Sequence, residues 1–155
     1  MDPAQAFAEA RNNMVDSQIR PNKVSDPRIL AAMRRLPRER FLPSHLAPRA
    51  YVDEDVPLGD GRVMMEPRAI ARLVQATAIA AGERVLVVAA GTGYGAALLA
   101  ACGARVIALE EAAALQAAAR AVLAEATTAG LRAQPVFDCA TPSIPGLLPA
   151  RGFVF

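Results

Sequence analysis

The stretch RVLVVAAGTGY, residues 84–94, decides the fold class of this 155-residue chain. Its apolar part, residues 84–89, has no polar alternation, which is typical of a strand that is buried on both faces of a parallel sheet. The glycine-rich residues 91–93 follow, and a helix is predicted over residues 94–101. A strand that enters a helix through such a turn is the first half of a βαβ unit.

The same alternation continues towards the C-terminus. Residues 105–109 form a second predicted buried strand, which Glu110 ends, and residues 111–129 form an Ala-rich helix. A third, weaker strand is predicted over residues 133–137, and the start of a fourth over residues 152–155. Strands that alternate with helices predict an α/β domain with a parallel sheet.

The residues before this region predict helices that are separated by prolines. We expect residues 1–66 to form an N-terminal helical and loop segment, and residues 67–155 to form the α/β part. The first helix is predicted over residues 3–18, and a second starts at Asp26-Pro27 and carries apolar residues at helical spacing: Ile29, Leu30, Met33 and Leu36. Residues 51–65 are predicted to be loop or short strand. A third helix is predicted over residues 67–80, and the residues on one of its faces are Ile70, Leu73, Val74 and Thr77.

Composition excludes several classes of function. A net charge of +2 is too small to favour binding to nucleic acid or to an anionic membrane. The two cysteines, Cys102 and Cys139, form no CxxC pair, so a disulfide scaffold and a cysteine zinc site are both excluded. No apolar stretch reaches the roughly 18 residues that a membrane-spanning helix needs. A cytoplasmic location is therefore the default expectation.

Neither a run of arginines nor the single histidine is predicted to have a catalytic role. The basic run Arg34, Arg35, Arg38 and Arg40 is predicted to be a solvated face, because no aromatic residues are interleaved with it. His45, the single histidine, is predicted to be structural or at the surface, since no acid or nucleophile pattern surrounds it.

The turn after the first buried strand is the candidate binding site. Gly91 and Gly93 would allow a ligand to approach the backbone, and Glu110 ends the next strand, where a carboxylate can accept both hydroxyls of a ribose. Asp138, after the third strand, could accept from an adenine amino group. The pattern suggests an adenosine-containing cofactor. A plain tight turn, a helix-capping role for Glu110 and an ordinary loop carboxylate at Asp138 are the alternatives.

The dinucleotide pattern GxGxxG is not matched. Ala89 stands at its first glycine, and no third glycine follows at the required spacing. A nicotinamide-binding protein is therefore a distant alternative.

Several stretches together resemble the protein-L-isoaspartate O-methyltransferase family. The N-terminal ones are specific to that family, whereas the glycine-rich turn alone would indicate only a Rossmann-like methyltransferase. The matching stretches are MVDSQIRP (14–21), DPRILAAM (26–33), LPRERFLP (36–43), Ala50-Tyr51, Pro57-Leu58-Gly59, Glu66-Pro67, the turn region 85–94 and the strand 106–110.

The resemblance implies a Rossmann-like fold that uses S-adenosyl-L-methionine to methylate the carboxylate of L-isoaspartyl residues in proteins or peptides. It implies that Ala89, Gly91, Gly93, Tyr94, Glu110 and Asp138 are the cofactor-binding positions. Since a carboxylate is already ionised near pH 7, the reaction needs positioning and desolvation rather than a strong base.

The sequence departs from the family pattern at the acceptor side. The family has Thr-x-Ser-Gln-Pro where this chain has Val63-Met64-Met65-Glu66-Pro67, so Met65 replaces the active-site serine and the catalytic residue is unknown. Ala89 and Ala90 also replace the usual Gly-Thr. Two alternatives follow: an inactive relic or binding module that retains at most cofactor binding, and a methyltransferase for a different acceptor, with Met64 and Met65 lining an apolar pocket.

Residues 153–155 fall where the family's fourth strand begins. The resemblance therefore implies that the later strands are absent from this sequence and that the sheet is left with an open edge. Either the sequence is a fragment or a shortened reading frame, or a partner covers this edge. That edge would belong to the fourth strand, which neighbours the first strand in this fold.

Overall fold

The computed structural model describes the backbone of residues 2–128, 136–138 and 151–154, and the side chains of residues 2–124. The chain divides into two compact units, Met1–Ala78 and Ile79–Phe155. No helix among the described residues is long and apolar enough to cross a membrane.

The first unit contains three α-helices: α1 (Pro3–Met14), α2 (Pro27–Arg35) and α3 (Pro67–Ala76). Each begins with proline at its first position, where the missing N–H leaves no hydrogen bond unmade. Asp26 caps α2 as predicted, because its carboxylate accepts from the backbone N–H of Arg28 at 2.8 Å. The start of α2 is therefore confirmed.

The end of the first helix differs from the prediction. Regular α-helix stops at Met14, and a π-helical turn (Val15–Ile19) and a short 3₁₀ turn (Arg20–Asn22) continue the chain. The wider π turn buries Met14, Val15 and Ile19 together in the core of this unit. The prediction missed it because a π turn depends on tertiary packing.

Helix α3 is shorter than predicted and its apolar face is narrower. It ends at Ala76, and its buried residues are Pro67, Ile70, Ala71 and Val74. Leu73, predicted on the same face as Ile70 and Val74, is 41% exposed, so the predicted face is not buried over its whole width.

The loop between α2 and α3 contains a β-hairpin. Strands β1 (Val56–Gly59) and β2 (Arg62–Met64) pair antiparallel, with Val56 opposite Met64. Asp60 and Gly61 join them with φ of 50° and 72°, the left-handed values that a tight hairpin turn requires. The short strand expected over residues 51–65 is confirmed.

The second unit is a parallel α/β sheet, as predicted. Its strands are β3 (Arg84–Val88), β4 (Arg105–Leu109), β5 (Val136–Asp138) and β6 (Arg151–Val154), in the spatial order β5-β4-β3-β6. Helix α4 (Tyr94–Ala101) connects β3 to β4, and α5 (Ala113–Thr128) follows β4.

The position of β6 confirms one expectation directly: the fourth strand of the sheet pairs parallel with the first, β3. The predicted last residue of the Ala-rich helix, Ala129, and that of the fourth strand, Phe155, lie outside the described residues, as do residues 133–135 of the predicted third strand and Cys139.

The strand register brings the carboxyl ends of the sheet to one edge. Val88 pairs with Leu109 and with Val154, and Leu109 pairs with Asp138. The strand order reverses at β3, since β4 lies on one side and β6 on the other. In open α/β sheets, ligands bind outside the carboxyl ends at such a reversal.

Candidate functional site

The turn between β3 and α4 is held in a conformation that favours glycine. Ala89, Gly91 and Gly93 all have positive φ, at 57°, 59° and 90°. The Ala90 N–H donates to the Leu109 carbonyl at 2.9 Å, and the Gly93 N–H donates to the Ala90 carbonyl at 3.0 Å. The predicted strand end at Ala89 is one residue too long, because the chain leaves the strand at its left-handed φ.

Glu110 is the charged residue at this turn, and it is only 2% exposed. One carboxylate oxygen, Oε2, accepts from the Gly91 N–H at 2.6 Å, and the other, Oε1, accepts from the Ala112 N–H at 3.0 Å. Hydrogen bonds to backbone N–H groups stabilise a buried carboxylate in its charged form. Glu110 therefore fixes the glycine-rich turn and the chain that leads into α5.

Each oxygen of an ionised carboxylate has more than one acceptor position. Glu110 can therefore hold the two backbone N–H groups and still accept from hydroxyl groups of a ligand. Vicinal hydroxyls of a ribose match a carboxylate at the end of this strand. The structure brings Gly91 and Glu110, which are 19 residues apart in the sequence, into direct contact.

The other predicted binding residues lie along the same edge. Tyr94 begins α4 and is buried, as is Thr92 beside it, whereas Ala89 is exposed. Asp138 ends β5 opposite Leu109, the residue before Glu110. By backbone position, therefore, the predicted residues of β3, β4 and β5 share the carboxyl edge.

The segment that replaces the family's serine lies in the first unit. Met64 is 5% exposed and belongs to the core there, so only Met65 of the two methionines presents partly exposed surface. The apolar pocket predicted from both side chains therefore loses Met64. The Glu66 carboxylate forms an ion pair with Arg68 at 3.3 Å, which partly neutralises its charge.

One arginine of the basic run was interpreted wrongly. Arg38 has no exposed surface, and its guanidinium donates from Nε to the Ala50 carbonyl at 2.7 Å and from Nη2 to the Met65 carbonyl at 2.6 Å. Because Pro37 ends α2, Arg38 does not continue the polar face of that helix. Its position between Leu36 and Phe41, both buried, is the sequence signal that could have identified it.

Two other residues that could carry chemistry are His45 and Cys102. His45 is exposed, in agreement with a surface role, and Cys102, which follows α4, is buried. Among the residues whose side chains are described, no three His, Cys, Asp or Glu side chains are grouped so that they could hold a metal ion.

Comparison with known proteins gives a consistent result. The family model for protein-L-isoaspartate(D-aspartate) O-methyltransferase matches residues 9–135. A protein-L-isoaspartate O-methyltransferase of Methylorubrum extorquens is 46% identical over 123 residues, which are 79% of this chain and 54% of that protein. Protein-L-isoaspartate O-methyltransferase 1 of Rhodopseudomonas palustris is 43% identical over 123 residues, which are 79% of this chain and 50% of that protein. The chain thus spans about half the length of the curated relatives it matches.

Solved structures show the same fold. A protein-L-isoaspartate O-methyltransferase structure superposes with a TM-score of 0.76 at 23% identity, and covers 95% of this chain and 47% of its own. A Plasmodium falciparum protein described by the same activity, in complex with S-adenosyl-L-homocysteine, has a TM-score of 0.64 at 18% identity, with coverages of 84% and 62%. The Rossmann-like methyltransferase fold, with part of its parallel sheet, is therefore confirmed.

Proposed function

The chain belongs to the protein-L-isoaspartate O-methyltransferase family, and from that premise we propose that it binds S-adenosyl-L-methionine and methylates isoaspartyl carboxylates. The observation that carries the proposal is the contact between Glu110 and the Gly91 N–H. A buried carboxylate is costly unless it is hydrogen-bonded, and this one is held by backbone N–H groups at the place where the ribose of an adenosine cofactor would need an acceptor.

The residues present fit this cofactor. Gly91 and Gly93 have no Cβ, so the backbone of the turn can approach a ligand closely. Glu110 would hold the ribose hydroxyls, Ala89 and Tyr94 would flank the turn, and Asp138, which ends β5, is the residue we propose for the adenine amino group. When bound, the cofactor supplies a methyl group on a positively charged sulfur.

The protein's own contribution to methyl transfer is positioning. An isoaspartyl carboxylate is ionised near neutral pH and is itself the nucleophile, so no general base is required. Holding it in line with the methyl group and excluding water are the remaining requirements. We assign no catalytic residue, because Met65 has no hydroxyl with which to orient the carboxylate.

Two alternatives are favoured by specific observations. The methionine at residue 65 favours a binding module that has kept cofactor binding and lost catalysis. Met65 is also only half-buried, and an apolar thioether at such a position favours a methyltransferase for another, more apolar acceptor.

Three further predictions concern a partner strand, the boundary between the two segments and the location of the protein. β6 is the edge of the described four-stranded sheet, and an unpaired edge favours a partner strand. A boundary between residues 66 and 67 and a cytoplasmic location also stay predictions.

Methyl transfer from radiolabelled S-adenosyl-L-methionine tests the proposal. The acceptors are an isoaspartyl peptide and the aspartyl peptide of the same sequence, and we expect label only in the first. The variant Met65→Ser restores a hydroxyl, and we expect it to raise kcat/KM by about tenfold, the usual worth of one oriented hydrogen bond.

The other outcomes distinguish the alternatives. Cofactor binding without label in either peptide, also in Met65→Ser, would support the binding module. Equal labelling of both peptides would support a different acceptor, and absence of cofactor binding by the folded chain would contradict the proposal.

A further inference from the structure

We propose that Arg38 is the positioning residue of the acceptor segment, defined here as Met64 to Glu66. The consequence for methyl transfer rests on the proposed function, whereas the contact itself does not. Arg38 begins a 3₁₀ turn (Arg38–Phe41) and has no exposed surface. A guanidinium is permanently charged and rigidly planar, so it is stable in such a place only where its donors meet fixed acceptors.

The fork of Arg38 joins two distant parts of the first unit. Nε donates to the carbonyl of Ala50, 12 residues away, and Nη2 donates to the carbonyl of Met65, 27 residues away. Both distances, 2.7 and 2.6 Å, are short for N–H···O bonds, as expected when the donor is charged.

The Ala50 end of this link is itself anchored. The next residue, Tyr51, accepts from Gln18 Nε2 through its carbonyl at 2.9 Å, and its hydroxyl donates to Glu39, the neighbour of Arg38. Arg11 of α1 contacts both the Tyr51 hydroxyl, at 3.4 Å, and Glu39, at 3.7 Å. Arg38 therefore links a fixed cluster of side chains to the acceptor segment.

Each residue of the acceptor segment is held by a different contact. Met64 pairs with Val56 in the hairpin, the Met65 carbonyl accepts from Arg38, and the Glu66 N–H donates to Asp55 Oδ1 at 2.8 Å. Met65 is nevertheless only half-buried. Arg38 thus fixes the backbone of residue 65, the position where the family carries its serine, without occupying the surface that an acceptor would contact.

The methyl resonances of ¹³C-labelled methionines in the 155-residue chain report directly whether Arg38 holds the acceptor segment in place. Met14 and Met33 are buried in the core and report the fold of the first unit, while Met64 and Met65 report the acceptor segment. In Arg38→Leu we expect the Met65 resonance to shift or broaden while those of Met14 and Met33 stay unchanged. The control is Arg35→Leu, an exposed arginine at the end of α2, which should move none of them.

Kinetics supply the second measurement. In Arg38→Leu the KM for the isoaspartyl peptide should rise by about tenfold or more, because a displaced acceptor segment misplaces the substrate. The Kd for S-adenosyl-L-homocysteine should stay unchanged. Arg38→Lys keeps the charge but not the planar fork, so it should move the Met65 resonance alone and give an intermediate KM.

Each outcome decides the proposal. Unchanged Met65 in folded Arg38→Leu, or a wild-type KM despite a shifted Met65, overturns it. If Arg38→Leu does not fold, Arg38→Lys decides in the same way, and a wild-type Met65 resonance there overturns it. If no form methylates any peptide, the proposed function fails, while the Met65 resonance still decides whether Arg38 positions the segment.

Discussion

Glu110 has a structural role and, in the proposed function, a binding role. Its carboxylate accepts the Gly91 and Ala112 N–H groups while it is almost completely buried. The sequence alone could place Glu110 at the end of a strand. It could not show which backbone groups the side chain would meet, because that contact forms only when β3 and β4 pair in register.

Replacement of the Glu110 carboxylate tests both its structural role and its proposed role in binding the ribose. Glu110→Gln has a single acceptor oxygen, so one buried N–H loses its partner, at a cost of about 1–3 kcal/mol in the free energy of unfolding. We expect the Kd for S-adenosyl-L-homocysteine to rise by about tenfold or more, since one ribose acceptor is also lost. Urea unfolding and calorimetry measure the two effects. Glu111→Gln, at the exposed neighbour, should change neither, and equal behaviour of both variants would contradict the assignment.

Ala89 carries backbone strain that glycine would not. Its φ of 57° lies in the left-handed region, which costs an L-residue with a Cβ about 1–2 kcal/mol. Ala89→Gly should therefore raise the free energy of unfolding by about 0.5–1 kcal/mol, after allowance for the greater freedom of glycine in the unfolded chain.

The neighbouring residue supplies the control for this prediction. Ala90 is not among the residues with positive φ, so Ala90→Gly should destabilise the protein slightly. A loss of stability in Ala89→Gly, measured by the same denaturant titration, would contradict the strain argument.

At the scale of elements, sequence reasoning succeeded where the signals are local. Helix α4 and strand β4 have the predicted bounds, because a glycine-rich turn and Gly103 separate two unbroken apolar runs. The π turn after α1 and the exposure of Leu73 could not be predicted, since both depend on which elements pack together. Arg38 was missed for the same reason, because its charge indicates solvent until its carbonyl partners are known.

The cap of α2 gives a prediction about pH. The Arg28 side chain donates to Asp26 and lowers the pKa of that carboxyl below the usual 3.8, an effect that burial partly opposes. A carboxyl with a lowered pKa in the folded protein stabilises it above the unfolded pKa, and this contribution is lost as the pH falls below about 4.

Substitution of the cap should therefore have a pH-dependent effect. Asp26→Ala should lower the free energy of unfolding by about 1 kcal/mol at pH 7, and the difference from wild type should narrow at pH 3. Asp26→Asn keeps an acceptor for the Arg28 N–H and should lose less at pH 7. Denaturant titrations at the two pH values measure this, and a difference that is constant with pH would contradict the role of the charge.

At the scale of the whole molecule, the predicted binding residues fall within one compact unit. Ala89, Gly91, Gly93, Tyr94 and Glu110 all belong to residues 79–155. Helix α3, in contrast, is grouped with the first unit, which contains the acceptor segment. The sequence indicated the family through its N-terminal motifs, but it could not show this division, which depends on packing between distant segments.

Calorimetric titration of the 155-residue chain with S-adenosyl-L-methionine and S-adenosyl-L-homocysteine, with NAD as the control, tests the central claim most directly. We expect saturable binding of the first two with one site per chain, weakened in Glu110→Gln, and no binding of NAD. A folded chain that binds neither sulfur-containing ligand, or that binds NAD equally well, would contradict the account.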